Sequence, residues 1–216
     1  SRNLGIEKSK GDYLCFLDSD DWWEPKKLEF VNKSINDGYE FVFHNHNIIK
    51  TKGFIKKRKF VSQRLTKPIF NNLISKGPTF ATSSVTLRKK NFEEIGKFDE
   101  SFDLIAWEDW DAWLRYSKKN EKFFHLNDVL SNITHDDENY LNKDLQIKNL
   151  KCFKDKYMFN DIKYPNWYNY TLFVNYYENK NFSNAKLILK DINFLKLNFF
   201  QKIKIILYSI KVYLNC

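Results

Sequence analysis

The stretch YLCFLDSDDWWEP, residues 13–25, joins an apolar run to a cluster of acids. Residues 13–17 form a short, uninterrupted apolar run, which is typical of a strand buried on both faces, as in a parallel sheet. Asp18, Asp20 and Asp21 follow at the carboxyl end of that strand, where ligands bind in open α/β sheets. The stretch therefore predicts an α/β fold with a ligand site at this strand end.

Two explanations fit these acids. Asp and Ser residues that follow a strand commonly form a turn or cap a helix, and such a turn needs no ligand. Clustered carboxylates, however, repel one another unless a cation neutralises them. Magnesium takes oxygen ligands, typically one or two carboxylates together with the phosphates of a substrate. We therefore expect a metal–diphosphate site here, and a plain turn remains the alternative.

The rest of the chain alternates between helical and strand-like segments. Leu28, Val31 and Ile35 recur at helical spacing and predict the core face of the helix that follows Pro25. The predicted elements, in chain order, are a helix that Gly11 ends, a helix from Pro25 to Asp37, a strand over 39–49, a basic loop or weak hairpin within an irregular segment over 50–80, a strand over 81–87, a short helix that Gly96 ends, a helix from Trp107, and mostly helix after residue 141.

Composition limits the class of protein. The 216 residues carry a formal net charge of +9, which favours an anionic partner such as nucleic acid, an anionic membrane or a phosphate-bearing substrate. The three cysteines are widely spaced and form neither a disulfide framework nor a CxxC metal pattern, which favours a reducing, cytosolic setting. No uncharged run reaches about 18 residues, so no membrane-spanning helix is predicted.

A second acidic group, WEDWDAW, occupies residues 107–113. It also fits the first turn of an amphipathic helix, with acids favoured by the helix dipole and tryptophans in the core. On such a helix Asp109 and Trp110 point in different directions, so the acid can face a cleft while the ring anchors the helix. A carboxylate beside apolar rings can have the raised pKa that a general base needs. Taken alone, the group leaves both interpretations open.

Two further stretches suggest other chemistry. His44 and His46 share one face of a predicted strand and can bind a metal, but no third ligand follows at suitable spacing. The basic residues 50–60 are typical of nucleic-acid binding. A solvated loop explains them better, and we expect no nucleic-acid partner.

The C-terminal residues 198–216, NFFQKIKIILYSIKVYLNC, carry apolar residues at helical spacing. These residues are Phe199, Ile203, Ile206, Leu207, Ile210 and Leu214. Lys202, Lys204 and Lys211 flank them, as in a helix that lies on an anionic membrane. Peripheral membrane contact through residues 198–215 and packing against protein both stay open.

Four stretches in a fixed order carry a resemblance: SRNLGI at 1–6, GDYLCFLDSDDWWEPKKLE at 11–29, IGKFDESF at 95–102 and WEDWDAWLR at 107–115. They resemble four motifs of the inverting family-2 glycosyltransferases, which have the GT-A fold. In the same order, these motifs are the A-R-N-x-G-I helix, the strand with its DxD motif and following helix, the G-x-F-D-E segment and the E-D-[WY]-D-L-W-x-R acceptor-side motif. SNITHDDEN at 131–139 is similar to that family's end-of-domain segment.

The resemblance implies a mixed central sheet flanked by helices, in a partial GT-A domain over residues 1–140 with a helical extension over 141–216. It implies metal-dependent transfer of a sugar from a nucleotide-sugar donor, most often a UDP-sugar, to a hydroxyl group. The acceptor would be a glycan or a lipid-linked glycan in bacterial surface polysaccharide synthesis. The expected location is the cytoplasm, at the inner face of the cell membrane.

The resemblance also implies residue roles on the donor side. Asp20 would ligate Mn²⁺ or Mg²⁺, which binds the donor's diphosphate. Asp18 would support that ion or contact the nucleotide ribose. Arg2 and Asn3 would lie near the nucleotide, and His135 would approach the metal or the diphosphate.

On the acceptor side, the resemblance implies that Asp109 is the general base that removes the proton of the acceptor hydroxyl. Glu108 and Trp110 would shape the acceptor site. A carboxylate base and a cation at the leaving diphosphate together suit a single inverting displacement.

The sequence departs from the family pattern at its start. The family begins with a strand similar to V-S-V-I-I-P-x-Y-N and a second strand followed by D-D-G-S, and neither is present. We therefore expect a chain truncated at its N-terminus, either a fragment or a degraded remnant, that alone neither binds donor tightly nor turns over. The alternative function is a non-catalytic remnant that acts as a basic membrane- or nucleic-acid-binding module.

Overall fold

A computed structural model of the chain describes residues 2–50, 56–101, 106–134, 142–158 and 164–214. The chain divides into two compact units, residues 1–100 with 107–140 and residues 101–106 with 141–216. Compactness does not test whether either unit folds by itself, so the domains expected at 1–140 and 141–216 stay a prediction.

Helices and strands alternate in the first unit. Its elements are α1 (Arg2–Lys8), β1 (Tyr13–Cys15), β2 (Trp22–Trp23), α2 (Lys27–Asn36), β3 (Phe41–Lys50), β4 (Lys56–Phe60), α3 (Ile69–Lys76), a 3-10 turn (Thr82–Ser84), β5 (Thr86–Arg88), α4 (Lys89–Glu94), α5 (Glu108–Ser117) and β6 (Phe123–Thr134). The second unit is helical, as the sequence predicts after residue 141. Its elements are α6 (Lys143–Tyr157), α7 (Asn166–Glu178), α8 (Phe182–Leu189), a 3-10 turn (Phe194–Lys196) and α9 (Phe199–Leu214).

The strands form one sheet in the order β1-β5-β3-β6-β2, and β4 pairs with β3 beside this path. β3 and β6 run parallel, from Phe41 opposite Phe123 to Ile49 opposite Thr134. The other strand pairs are antiparallel. The sheet is therefore mixed, as predicted.

Each face of the central strand β3 packs against a helix. Neighbouring side chains of a strand point to opposite faces, so adjacent residues of β3 contact different helices. On one face Val42 lies in a cluster with Val31 of α2 and with two leucines of β6, Leu126 and Leu130. On the other face the ring of Phe41 lies 5.3 Å from the ring of Trp113 in α5. The expected α/β arrangement of helices around a central sheet is confirmed.

An aromatic cluster under α5 forms part of the core. Trp113 and Phe41 are completely buried. The rings of Phe16, Phe92 and Phe98 lie 5.8–5.9 Å from that of Trp113. Phe16 comes two residues before the first acid of the Asp18–Asp21 segment, so this cluster holds the strand end that carries the acids.

The prediction of a parallel strand over residues 13–17, buried on both faces, is wrong. β1 has three residues and pairs antiparallel with β5, from Tyr13 opposite Arg88 to Cys15 opposite Thr86. Side chains alternate between the two faces, so Leu14 is buried whereas Leu17 is 46% exposed. A continuous apolar run thus does not by itself indicate burial on both faces.

The core face of α2 also differs from the prediction. Its buried positions are Lys27, Val31 and Ser34, which follow the spacing i, i+4, i+7 of one helix face. Leu28 lies beside that face and is 56% exposed. The helix ends as predicted, because Asp37 is its C-cap and Gly38 adopts a φ of 92° that favours glycine.

Three elements, β2, α3 and β6, lie where no element was predicted, and the strand predicted over 81–87 is shorter. β6 was missed because the register of its pairing with β3 shifts on both sides of Asn45, and such a bulge interrupts the alternating pattern. α3 lies inside the segment expected to be irregular. The strand expected over 81–87 is a 3-10 turn followed by the short β5. The predicted hairpin is confirmed for residues 56–60, which pair with β3, whereas residues 51–55 lie outside the described residues.

Candidate active site

The acids after β1 have different surroundings. The carboxylate of Asp18 accepts a hydrogen bond of 2.6 Å from Arg2 Nη2. Asp21 Oδ1 accepts a hydrogen bond of 2.9 Å from the backbone N–H of Thr134. Asp20 is exposed, and its backbone carbonyl accepts a 2.6 Å bond from the Thr134 hydroxyl. Two of the acids are thus engaged within the protein, whereas the described residues provide no hydrogen bond to the carboxylate of Asp20.

Burial raises the pKa of Asp21, and the negative charges of Asp20 and Asp18 raise it further. Hydrogen bonds from Ser83 and Thr134 oppose this rise. Burial is the main cause of this rise, and the repulsion between neighbouring carboxylates, which a bound cation would relieve, is a smaller one.

The guanidinium of Arg2 joins the two acidic stretches. One nitrogen bonds Asp18, and the other lies 2.7 Å from Glu108 Oε1 at the start of α5. Asp18 and Glu108 are about ninety positions apart in sequence, and the Arg2 side chain bridges them in space. The sequence did not predict this ion pair, which is the first of two links between the acids.

Asp109, the predicted general base, is held by two hydrogen bonds. Its Oδ2 accepts a bond of 2.7 Å from the Thr82 hydroxyl, and its Oδ1 accepts one of 2.6 Å from the backbone N–H of Trp110. Burial raises the pKa of Asp109, and the neighbouring Glu108 raises it further. The two hydrogen bonds and the charge of Arg2 act in the opposite direction. A partly buried carboxylate with a raised pKa is a stronger proton acceptor than an exposed one.

The 3-10 turn Thr82–Ser84 forms the second link. Thr82 bonds Asp109, while the Ser83 hydroxyl accepts a 3.0 Å hydrogen bond from the backbone N–H of Asp18. Ser83 also acts to lower the pKa of Asp21. Adjacent residues of one short turn therefore contact both acidic stretches. Ser83 is completely buried, so its position is set by the surrounding structure.

The carbonyl of Ser83 is held from the other side. It accepts hydrogen bonds of 3.1 Å from Trp23 Nε1 and 3.0 Å from Lys27 Nζ. The Lys27 ammonium also lies 3.8 Å from the centroid of the Trp23 ring. Lys27 is 1% exposed, and this burial lowers the pKa of its ammonium to about 7. The turn is thus held by the half-buried Trp23 of β2 and the buried Lys27 of α2.

Asn3 and Trp110, two further predicted site residues, are buried and contact other parts of the core. Asn3 is buried, and its side chain both donates to and accepts from the backbone of Phe98, at 2.9 and 3.1 Å. Trp110 is 3% exposed and packs edge-on against Phe80, so it supports α5 from within the core. The roles expected for Asn3 at a nucleotide and for Trp110 at an acceptor stay predictions. His135 lies outside the described residues.

The described residues include no group of three or more His, Cys, Asp or Glu side chains arranged as a complete metal site. The oxygen donors at the turn nevertheless fit a hard cation, since Asp20 presents an exposed carboxylate beside two further acids. Magnesium and manganese use one or two protein carboxylates where substrate phosphates complete the coordination. The donor set is therefore compatible with an ion held jointly by Asp20 and a bound diphosphate.

Sequence reasoning missed Thr82, Ser83, Lys27 and Thr134. The sequence predicts a strand for the TSS tripeptide. No spacing rule links this tripeptide to Asp18, which lies more than sixty positions before it. Lys27 was overlooked because lysine is rarely buried. One available signal was the position of Lys27, which precedes Val31 by four residues on the buried face of α2.

We expect Ser83→Ala to raise the pKa of Asp21 and to lower the free energy of unfolding by about 1–3 kcal/mol, because it leaves the N–H of Asp18 unpaired. The matched control is Ser84→Ala, whose hydroxyl bonds the Ala81 carbonyl within the same turn and contacts neither acid in the described structure. NMR titration of the carboxyl carbons and urea unfolding measure the two effects. An equal pKa change in both variants would show that the turn, and not the Ser83 hydroxyl, sets the titration of Asp21.

Comparison with known proteins identifies the family of the chain. The model of the family described as "Glycosyltransferase like family 2" matches residues 1–205. The amylovoran biosynthesis glycosyltransferase AmsB of Erwinia amylovora is 31% identical over 139 residues, which are 61% of this chain and 45% of AmsB. The UDP-Glc:alpha-D-GlcNAc-diphosphoundecaprenol beta-1,3-glucosyltransferase WfgD of Escherichia coli is 29% identical over 122 residues, 56% of this chain and 44% of WfgD. The chain spans less than half the length of these two relatives.

The crystal structure of S. aureus TarS 1–349 in complex with UDP-GlcNAc superposes with a TM-score of 0.52 at 14% identity, over 94% of this chain and 58% of that chain. At such low identity the likeness concerns the fold, and it confirms the GT-A-like fold expected from the motifs. The family match covers both acidic stretches and most of the helices after residue 141, so the chain belongs to the glycosyltransferase-like family 2, whose named relatives are sugar-transferring enzymes.

Proposed function

We propose that this chain carries the metal-binding and proton-accepting parts of an inverting glycosyltransferase that moves a sugar from a nucleotide-sugar donor to a hydroxyl acceptor. The observation that carries the proposal is the convergence of the two acidic stretches. Arg2 joins Asp18 to Glu108, and the Thr82–Ser84 turn joins Asp18 to Asp109. The proposed diphosphate site and the proposed base would then lie in the same region of the first unit.

On the donor side, Asp20 would hold Mn²⁺ or Mg²⁺ together with the diphosphate, and such an ion stabilises the charge that builds on the leaving group. Asp18, Arg2 and Asn3 would face the nucleotide, as the family resemblance implies. Divalent metals are common in GT-A glycosyltransferases, which supports this assignment. Arg2 pairs with both Asp18 and Glu108, and its single positive charge offsets part of their negative charge.

On the acceptor side, Asp109 would accept the proton of the acceptor hydroxyl. The hydroxyl oxygen forms its bond to the anomeric carbon while the bond from that carbon to the diphosphate oxygen breaks, so the configuration inverts. The raised pKa of Asp109 favours this proton transfer. Thr82 and the N–H of Trp110 orient its two oxygens, and Glu108 would shape the acceptor site.

Relatives suggest the substrates. TarS was crystallised with UDP-GlcNAc, WfgD is named for a UDP-glucose donor and a diphosphoundecaprenol-linked acceptor, and AmsB is named for amylovoran biosynthesis. We therefore propose a UDP-sugar donor and a glycan or lipid-linked acceptor in bacterial surface polysaccharide synthesis. The proposed location is the cytoplasmic side of the cell membrane, where such acceptors are found.

Calorimetric titration with UDP and Mn²⁺ tests the donor site, on the 216-residue chain and on a chain extended upstream by its natural coding sequence. We expect only the extended chain to bind, because the family's first strands supply nucleotide contacts. Asp20→Ala in the extended chain should abolish the Mn²⁺-dependent part of binding. Asp37→Ala, an exposed acid at the end of α2, is the matched control and should bind as the parent does.

Unchanged affinity in Asp20→Ala would refute the metal assignment. If the extended chain binds neither UDP nor another nucleoside diphosphate, the proposed transfer is wrong. The non-catalytic membrane- or nucleic-acid-binding alternative would then be preferred.

A further inference from the structure

Helix α9, Phe199–Leu214, has two apolar faces. The inner face contains Ile205 and Val212, which are 5% and 0% exposed. Between them the ring of Tyr208 stacks on that of Tyr177 in α7, with centroids 3.6 Å apart. The helix is therefore anchored on the second unit through this face.

The outer face of α9 is uncovered. Its exposed fractions are 70% for Phe199, 80% for Phe200, 41% for Ile203, 50% for Ile206, 58% for Leu207, 54% for Ile210 and 61% for Tyr213. At about 100° per residue these side chains lie within one arc of roughly 140°, opposite the inner face. Apolar side chains in one continuous stripe mark an interaction surface, unlike exposed apolar residues scattered singly.

The turn before α9 extends the same kind of surface. Leu195 is 85% exposed and Phe194 is 41% exposed. The outer face of α9 together with these two residues is called the apolar stripe below. The described residues of the second unit thus expose a long row of large apolar side chains at its C-terminal end.

The charge around the apolar stripe selects the class of partner. Residues 192–214 contain four lysines and no Asp or Glu. Lys204 is neutralised by Glu178, 2.9 Å away, on the side of the helix that faces α7. Lys202 lies closer to the stripe, with its ammonium 5.7 Å from the Phe194 ring. A second copy of the chain would bring like charges together at such a contact, whereas an anionic lipid surface offers the complementary charge.

The dimensions of α9 set the mode of contact. Its 16 residues span about 24 Å along the axis, whereas a membrane-crossing helix needs roughly 20 predominantly apolar residues. None of the helices in the described part of the chain has the length and apolar content of a membrane span. A helix of this kind lies along the membrane surface, with its apolar side among the acyl chains and its lysines at the headgroups.

We propose that the apolar stripe docks on the surface of an anionic lipid bilayer, with α9 parallel to the membrane plane. Phe199, Ile203, Ile206 and Ile210 would enter the acyl-chain region, and Lys196 and Lys202 would meet the headgroups. The biological setting of this contact rests on the proposed transfer to a lipid-linked acceptor. The contact itself rests only on the exposed side chains and charges of the second unit.

Vesicle flotation tests the proposal with the 216-residue chain. The probes are phosphatidylcholine vesicles with and without phosphatidylglycerol, at low and at high salt. The test variant is Ile206→Glu with Ile210→Glu, which places two acids in the middle of the stripe. The matched control is Leu28→Glu in α2, which is 56% exposed and lies in the other unit. Circular dichroism checks that the variants stay helical, as expected for exposed positions.

We expect the parent chain and Leu28→Glu to float with the anionic vesicles. The double variant should partition at least roughly tenfold less strongly, because it loses apolar burial and gains charge repulsion. Binding should weaken at high salt, since salt screens the lysine–headgroup attraction.

Three results would overturn the proposal. Equal flotation of the double variant would show that the stripe does not touch lipid. Absence of flotation by the parent chain would exclude the bilayer as the partner. A dimeric parent that the double variant makes monomeric, with no flotation by either, would identify a second copy as the occupant. Each result is independent of UDP titration, so failure of the membrane contact and failure of the proposed transfer are distinguishable.

Discussion

Replacing Asp109 with Asn should lower the rate constant of sugar transfer by roughly 10²–10⁴-fold, the usual contribution of a positioned general base. The amide keeps the size of the side chain and the capacity to accept a hydrogen bond from Thr82, but it cannot take the proton of the acceptor. The measurement is steady-state transfer from a UDP-sugar by the chain extended upstream, since we expect the 216-residue chain alone to be inactive. Urea unfolding of the same variant separates a catalytic loss from a folding loss.

The pH dependence of kcat/KM gives a second readout for Asp109. A base with a raised pKa produces a loss of rate as the pH falls through that pKa, because the protonated form cannot accept a proton. Thr82→Val removes a hydrogen bond that lowers this pKa, so the loss should begin at a higher pH than in the parent enzyme. An Asp109→Asn enzyme with unchanged rate and the same acid limb would show that another residue is the base.

A large loss of stability in acid is the second expected result, and it arises from two buried histidines. Burial lowers the pKa of His44 to about 3 and that of His46 to about 4, and the charge of Lys27 adds to the effect at His44. The exposed fractions of the two side chains are 0% and 5%. His44 Nε2 and His46 Nδ1 have no hydrogen-bond partner in the described structure. The folded state therefore holds both rings neutral.

The sign of the effect follows from proton counts. Below the ordinary histidine pKa of about 6.5, the unfolded chain binds protons that the folded chain does not bind. Stability is therefore retained above that pH and is lost as the pH falls towards the folded-state values. Between pH 6.5 and pH 4 each histidine should remove roughly 3 kcal/mol from the free energy of unfolding. Such a loss is comparable to the whole stability of a marginal domain.

The test compares the parent chain with the double variant His44→Leu, His46→Phe by urea unfolding between pH 8 and about pH 4.5. Tryptophan fluorescence reports mainly on the first unit, because every tryptophan except Trp167 lies there. The variant should lose far less stability below pH 6.5, whereas above pH 7 the two curves should run in parallel. Parallel curves over the whole range would mean that carboxylates, and not these histidines, control acid unfolding.

The sequence alone was sufficient for the fold class, and it singled out the acids of the candidate site, whose roles stay predictions. Asp18, Asp20 and Asp109 belong to short motifs in a fixed order, and a motif keeps its meaning without knowledge of the tertiary structure. Helix α2 and its end at Gly38 follow from local spacing and from the conformational freedom of glycine. These features depend on residues close together in the chain.

The features that were missed depend on contacts distant in sequence. Ser83 matters because it meets Asp18 across the sheet, and Arg2 because it reaches Glu108. Neither contact has a local signature. The sequence does not predict the burial of His44, since this burial depends on the pairing with β6, whose bulge interrupts the alternating pattern. The periodicity of apolar residues predicts helices and strands, but it does not predict which elements contact each other.

The parallel pairing of β3 with β6 has a consequence for the order of events during synthesis. Phe41 pairs with Phe123, so the partner strand leaves the ribosome roughly 80 residues, or about 4 to 16 seconds, after β3. Helix α2 is already made by then and can cover one face of β3, but α5 and β6 come late. Closing so long a loop is also slow in a chain that refolds after denaturation. The sheet therefore cannot be completed until β6, the last described strand of the first unit, has been synthesised. Until then, the apolar side chains of β3 depend on α2 for cover.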